Sequence, residues 1–242
     1  MRLKVDVIVA GGWGDIRAAK EATATIPIVM VQAGDAVGSG FVASLARPGG
    51  NITGNSTLRP ELSGKRLELL KETVPKLSRV AVFASSNSAD HALVKKELDL
   101  AAGAFGIKLQ NLDIRSFKDV EPAFRAAVKG RADGVLVLLP GPILRPNRTE
   151  FVELAVKSRL PAIYEGAEEV EAGGLMSYGV NINELYRRAA VYVDKILKGR
   201  TPADLPVEQP MRFEFVINLQ AAKKIGLTIP PNVLVRADRV IR

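Results

Sequence analysis

The chain has 242 residues, 47% of them hydrophobic, which is enough apolar material for one large or two small packed domains and too much for a disordered chain. It has no cysteine, so disulfides, thiolate catalysis and cysteine-based metal sites are excluded, and no apolar run approaches the ~20 residues of a membrane helix. The net charge is +8, but the basic residues are scattered among 26 acids and only 5% of residues are aromatic, so the charge is read as a solvated surface and no nucleic-acid partner is expected.

Met1–Lys4 runs straight into a strand over Val5–Ala10, so no signal peptide is expected at this end. Gly11–Gly14 turns that strand, and Asp15 is expected to cap a helix over Asp15–Thr23. Ile28–Val31 is the next strand. Arg47–Gly50 is a loop, and Asn51–Thr57 a short polar strand or turn. Glu61–Val74 has Leu67, Leu70 and Val74 on one helical face.

A second series starts at Val80–Phe83 after the break Lys76–Arg79. A helix follows from about Ala89, with Val94, Leu98, Ala101 and Phe105 at helical spacing and Gly106 as its stop. Leu109–Ile114 is a strand, Val120–Val128 a helix, Gly134–Leu139 an apolar strand and Thr149–Ser158 a helix. Ala162–Tyr164 and Leu175–Tyr178 are strands separated by a polar excursion and a glycine pair. Asn183–Lys198 is the longest helix, ended by Gly199. Phe213–Ile217 is extended, and Asn218 caps a last helix that stops at Gly226.

Alternating β and α units with continuous apolar strands imply an α/β fold, two Rossmann-like lobes whose parallel sheets are covered by helices. The restart of the series places the lobe boundary near Arg79. The expected division is lobe one over 1–79, lobe two over 80–178, and a return to lobe one with a C-terminal tail over 179–242.

Ligands in open α/β sheets bind at the carboxyl ends of strands. That rule selects the candidates. Ser86, Asn87 and Ser88 open a helix after a strand, where free N–H groups favour an anion; capping is the ordinary reading of the same residues. Tyr164, Glu165 and Tyr178 stand at two strand ends. Tyrosine offers an apolar face and a polar tip, and Glu165 can accept from an ammonium group or be a surface carboxylate. Gly141 lies in the turn after Gly134–Leu139. Gly12 and Trp13, the only tryptophan, follow the first strand without forming a G-x-G-x-x-G motif. Asp35 follows the second strand, either as a site residue or as a cap. His91 is the only histidine, so a zinc site is not expected, and no cofactor is inferred. Glu168, Glu169 and Glu171 are read as a solvated helix face.

Several stretches, in order, resemble one family. They are VDVIVAGG, ATATIPIVMV, GFVASLARPGGNITG, KRLELLKETVPKLSRVAVF, AAGAFGIKLQ, LPAIYEGAEEVEAGGLMSYG, ILKGRTPADLPVEQP and FEFVINLQAAKKIGLTIPP. Together they resemble the substrate-binding proteins of ABC transporters for tryptophan, tyrosine and other aromatic solutes. The resemblance implies a type I periplasmic-binding-protein fold, with two lobes, a hinge of several crossings and a solute held between the lobes. It also implies that the loop at Ser86–Asn87 contacts the ligand's polar end. The implied role is solute binding for an ABC importer, without catalysis, with a permease as partner and a periplasmic or lipid-anchored location. The implied ligand is a small amino acid or aromatic carboxylate.

Family members normally carry an export signal and two further βα units before the strand matching Val5–Ala10. At ~30 residues per unit, roughly 60 residues of lobe one are expected to be missing. An incomplete lobe would expose sheet edge, which makes a homodimer through lobe one an expectation. The alternatives are the ligand-sensing core of a transcription regulator and a truncated product that no longer binds.

Overall fold

The computed structural model of the chain describes residues 4–88 and 90–242. The helix start expected at Ala89 and the first three residues lie outside that range. The elements in chain order are β1 (Ile8–Ala10), α1 (Trp13–Ala22), β2 (Ile28–Ala33), β3 (Ile52–Ser56), α2 (Arg59–Thr73), β4 (Arg79–Ala84), α3 (His91–Phe105) and β5 (Lys108–Asp113). They continue with α4 (Val120–Lys129), β6 (Gly134–Leu138), α5 (Gly141–Leu144), α6 (Arg148–Lys157), β7 (Ala162–Tyr164), α7 (Ala167–Glu171) and β8 (Met176–Gly179). The last are α8 (Ile182–Leu197), β9 (Glu214–Asn218), α9 (Leu219–Ile225), α10 (Pro231–Leu234) and β10 (Arg239–Ile241).

These elements form two compact units. Unit one holds residues up to Arg59 together with Val180–Arg212; unit two holds Pro60–Gly179 and Phe213–Arg242. The boundary expected near Arg79 therefore lies inside unit two. The reason is that α2 packs with unit two: Leu67 and Leu70 share a core with Val80 and Val82 of β4. The break at Lys76–Arg79 is a helix-to-strand turn. Ser78 N–H, Ser78 Oγ and Arg79 N–H all donate to the Asp133 carboxylate, at 2.8, 2.9 and 2.9 Å. Burial of Asp133 works against its ionised form, but those donors outweigh it and hold the carboxyl below its ordinary range.

Unit one is built on a parallel three-stranded sheet in the order β1-β2-β3. Its central strand is apolar over Ile28–Val31, where both faces are covered. Ile28 and Met30 join Ile16 of α1 and Phe41 on one side. Val29 and Val31 join Leu185, Ala189 and Tyr192 of α8 on the other. The long helix starts at Ile182, one position before the expected range, and is capped there by Asn181, whose side chain accepts from Glu184 N–H. The outer side of β3 is covered by the chain at Glu208, which accepts from Ser56 N–H and donates to Gly54 O. β3, read as polar from ITGNS, is buried at every position.

Unit two carries a seven-stranded sheet in the order β10-β9-β8-β7-β6-β4-β5. Its pairs are parallel except β8 with β9, where Tyr178 faces Phe215 in antiparallel register. The tail expected in lobe one thus belongs to unit two, because Phe215 and Ile217 of β9 enter the larger core. Alternation along the strands sorts that core into two layers. Val80, Val82, Leu136 and Ile163 face α2 and α3. Ala81, Phe83, Val137 and Tyr164 face α4 and α6, where Phe83, Phe124, Phe151 and Tyr164 form a run of edge-to-face rings with centroids 4.8–6.1 Å apart.

Candidate functional site

In unit two the neighbouring parallel strands β4, β6, β7 and β8 end on one edge of the sheet. That edge gathers Ser86–Ser88, Gly141, Tyr164, Glu165 and Tyr178. In unit one, Gly12 and Trp13 follow β1, and Asp35 follows the adjacent β2.

The loop after β4 differs from the expected open anion site. Ser86 donates its N–H and its hydroxyl to the Asp113 carboxylate, at 2.8 and 2.9 Å. Arg115 Nε donates to the same group at 2.8 Å. The Ser86 N–H first, and Arg115 with it, hold the Asp113 carboxyl below its ordinary range. The donors expected to meet a solute carboxylate are thus engaged by a residue from the end of β5. Ser88 N–H closes a turn on Ser85 O at 3.0 Å. Asn87 is exposed and is the loop's available amide.

Tyr164 and Glu165 point to opposite sides. Tyr164 is fully buried, 6.1 Å from the Phe151 ring centroid, so its ring is a core element and does not line the strand-end surface. Its hydroxyl is buried without a protein partner, and burial, with the nearby Glu169 charge, pushes its pKa up. Tyr164→Phe should remove an unmet donor and stabilise unit two by ~1 kcal/mol, raising the midpoint in scanning calorimetry by about 2–4 °C. A lowered midpoint would show that the hydroxyl is satisfied.

Glu165, half-buried, pairs with Arg66 of α2, its Oε1 lying 3.4 Å from Nη1. Arg66 Nε also donates to Tyr178 O at 2.7 Å. The Tyr178 ring is half-buried and meets Phe213 and Phe215, with centroids 5.9 and 6.4 Å away. Gly141 opens α5 under the Arg145 guanidinium, since an added Cβ would lie 3.0 Å from Arg145 Nε. Arg66 and Arg145 are cations at this edge that the strand-end rule does not select. Arg66 had a signal: with Leu62, Leu69 and Thr73 it occupies a buried stripe of α2, where a charge is out of place.

In unit one, α1 begins at Trp13 behind Gly12, and Asp15 does not cap from the first position as expected. It sits a turn inside, and its carboxylate accepts from Gly12 N–H at 3.1 Å. Trp13 donates from Nε1 to Ser39 Oγ at 3.2 Å, packs against Phe41, and carries the Arg17 guanidinium 4.7 Å above its ring. Asp35 accepts from Gly38 N–H at 2.8 Å and so closes a turn, with no helix following it. The acidic face of α7 is also not as expected: Glu169 is buried against Arg148 Nε at 2.9 Å, and Glu171 pairs with Arg239.

The profile of the family described as "ABC transporter substrate binding protein" matches residues 2–241. The chain belongs to that family. The chain is 28% identical over 225 residues to a curated "Tyrosine-binding protein" of Clostridioides difficile, covering 93% of this chain and 64% of that relative. It thus spans somewhat less than two thirds of the relative's length. A crystal structure of a conserved domain protein from Vibrio cholerae superposes with a TM-score of 0.89 at 31% identity, over 97% of this chain and 78% of that one. An ABC domain from Streptococcus pneumoniae in complex with L-Trp also gives 0.89, at 26% identity over 98% of this chain and 79% of that one. The fold is the type I periplasmic-binding-protein fold. The family is named for binding a substrate, not for a reaction. No helix among the described residues is long and apolar enough to cross a membrane.

Proposed function

We propose that this chain is the solute-binding component of an ABC importer, that it works outside the cytoplasm with a membrane permease, and that its solute is an aromatic amino acid. The observation that carries the proposal is the mixture of groups on the strand-end edge of unit two. Glu165 supplies an acceptor for an ammonium group, Asn87 an exposed amide donor for a carboxylate, and Tyr178 a half-buried ring for an apolar body. A zwitterion with an aromatic side chain needs those three kinds of partner. The similarity to proteins named for tyrosine and crystallised with L-Trp supports the same solute class.

Titration calorimetry with L-tryptophan, L-tyrosine, L-alanine and indole-3-propionate tests it. The two aromatic amino acids should bind. Indole-3-propionate, which lacks the ammonium group, should bind about ten- to a hundredfold more weakly, the usual cost of one charged hydrogen bond. Asn87→Ala and Tyr178→Ala should each weaken L-tryptophan roughly tenfold or more, and His91→Ala should leave it unchanged. Parent-like affinity in both of the first two variants would move the site elsewhere. Tighter binding of L-alanine than of L-tryptophan would overturn the solute class.

A further inference from the structure

Arg66 is the one arginine buried in the protein interior among the described residues, at 2% exposure. A guanidinium in such a place is costly unless it is paired and hydrogen-bonded. Two of its partners belong to different strand ends. One is the Glu165 carboxylate, directly after β7, at 3.4 Å. The other is the main-chain carbonyl of Tyr178 in β8, at 2.7 Å. The strand ends are packed closely around it. A Cβ at Gly179 would lie 2.0 Å from Glu165 O and 3.4 Å from Arg66 Nη2, so only glycine fits there.

The same residues stand at the places where the chain passes from one unit to the other. These are Arg59/Pro60, Gly179/Val180 and Arg212/Phe213. Arg66 lies two turns into the helix that starts at the first crossing. Tyr178 immediately precedes Gly179 at the second. Its ring packs on Phe213, the first residue after the third. One buried cation therefore holds, inside unit two, the main chain at one crossing, a ring contact to another and a carboxylate at the strand ends.

We propose that Arg66 is a positioning residue: its planar fork locks the ends of β7 and β8 together, and so fixes Glu165 for the solute and anchors the chain where it leaves unit two. Its role in binding rests on the solute reading above; its anchoring role does not. The planar fork sets its donor directions rigidly, whereas the three N–H groups of an ammonium rotate at the end of a flexible stem and hold a carboxylate and a carbonyl in no fixed geometry.

The test is Arg66→Lys in the full chain, with two readouts. Hydrogen exchange should quicken about tenfold or more at residues 164–166, 177–179 and 213–215, and stay parent-like in α4 and α6. L-Tryptophan should bind about tenfold or more weakly in calorimetry, and this loss should shrink to less than about threefold in a Glu165→Gln background, since the lysine then has no carboxylate left to misplace. Parent-like exchange at all three segments overturns the proposal. So does an equal loss of affinity in both backgrounds, which would mark Arg66 as a general packing residue. If the parent binds neither L-tryptophan nor L-tyrosine, the solute reading fails and the exchange pattern alone decides on Arg66. Should Arg66→Lys unfold, Arg66→Gln, which keeps a donor for the Tyr178 carbonyl without a buried charge, gives the same exchange comparison.

Discussion

Gly54→Ala is expected to cost unit one about 3 kcal/mol or more, enough to leave it largely unfolded at moderate temperature. Gly54 pairs with Met30 across β3 and β2, at a φ of +128° that side chains rarely adopt. A Cβ there would lie 2.2 Å from Met30 O and 2.6 Å from Met30 N, so backbone, not a flexible side-chain tip, would have to move. Met30 cannot retreat without disturbing both layers, because β2 is packed by α1 on one face and α8 on the other. The outer edge of β3 would suffer as well, since Gly54 O holds Glu208 N–H at 3.0 Å. Trp13 is the only tryptophan and lies in unit one, so its fluorescence reports this unit alone. Gly54→Ala should lower the urea midpoint of that signal sharply. Gly50→Ala, where an added Cβ meets nothing within 4 Å, should shift it by less than about 0.5 kcal/mol. Equal midpoints for the two variants would show that β2 and β3 can part at little cost.

Runs such as IVMV and GVLVL made the parallel sheets legible, because a strand covered on both faces needs no polar alternation. The division into units was not legible, since it depends on which core an element joins. The charged turn Lys76–Arg79 has the local composition of a linker, yet it is pinned by Asp133, more than fifty residues away in sequence. Phe213–Ile217 has the pattern of a strand and nothing in it to name its partner; the antiparallel register on β8 places it in unit two.

The candidate site was legible as positions and not as directions. Strand ends could be found from the apolar runs, but β7 is only three residues long and buried throughout, so its sequence does not say which layer Tyr164 enters. Phe151 of α6 and the glycine at 174, where a Cβ would lie 2.7 Å from the Tyr164 ring, make the space for it. Ser86 was legible as a helix-start donor, but the carboxylate that occupies it comes from β5, adjacent to β4 only through the sheet order. Arg66 is the reverse case, a residue whose place on a buried helical stripe was open to view and whose partners were not.

Arg148→Met is expected to destabilise unit two by about 2–3 kcal/mol near pH 7.5, with a smaller effect near pH 5. Glu169 is buried and Arg148, its partner at 2.9 Å, is partly exposed, so the cost should fall below that of a fully enclosed pair. Burial raises the Glu169 carboxyl above its ordinary range, and the Arg148 charge and hydrogen bond oppose that rise. Removing Arg148 therefore lifts the folded-state pKa further, while the unfolded value stays near ~4.3. Between those two values the folded chain holds a proton that the unfolded chain has released, so stability falls as pH rises through the window and is recovered as pH drops toward the unfolded value. Urea unfolding followed by far-UV circular dichroism at pH 5 and pH 7.5 measures the difference. Adding Glu169→Gln to Arg148→Met should remove most of the pH dependence, because no buried carboxylate is then left to charge. A variant equally destabilised at both pH values would mean that Arg148 contributes through packing of its stem against α7, and that Glu169 is ionised without cost in its absence.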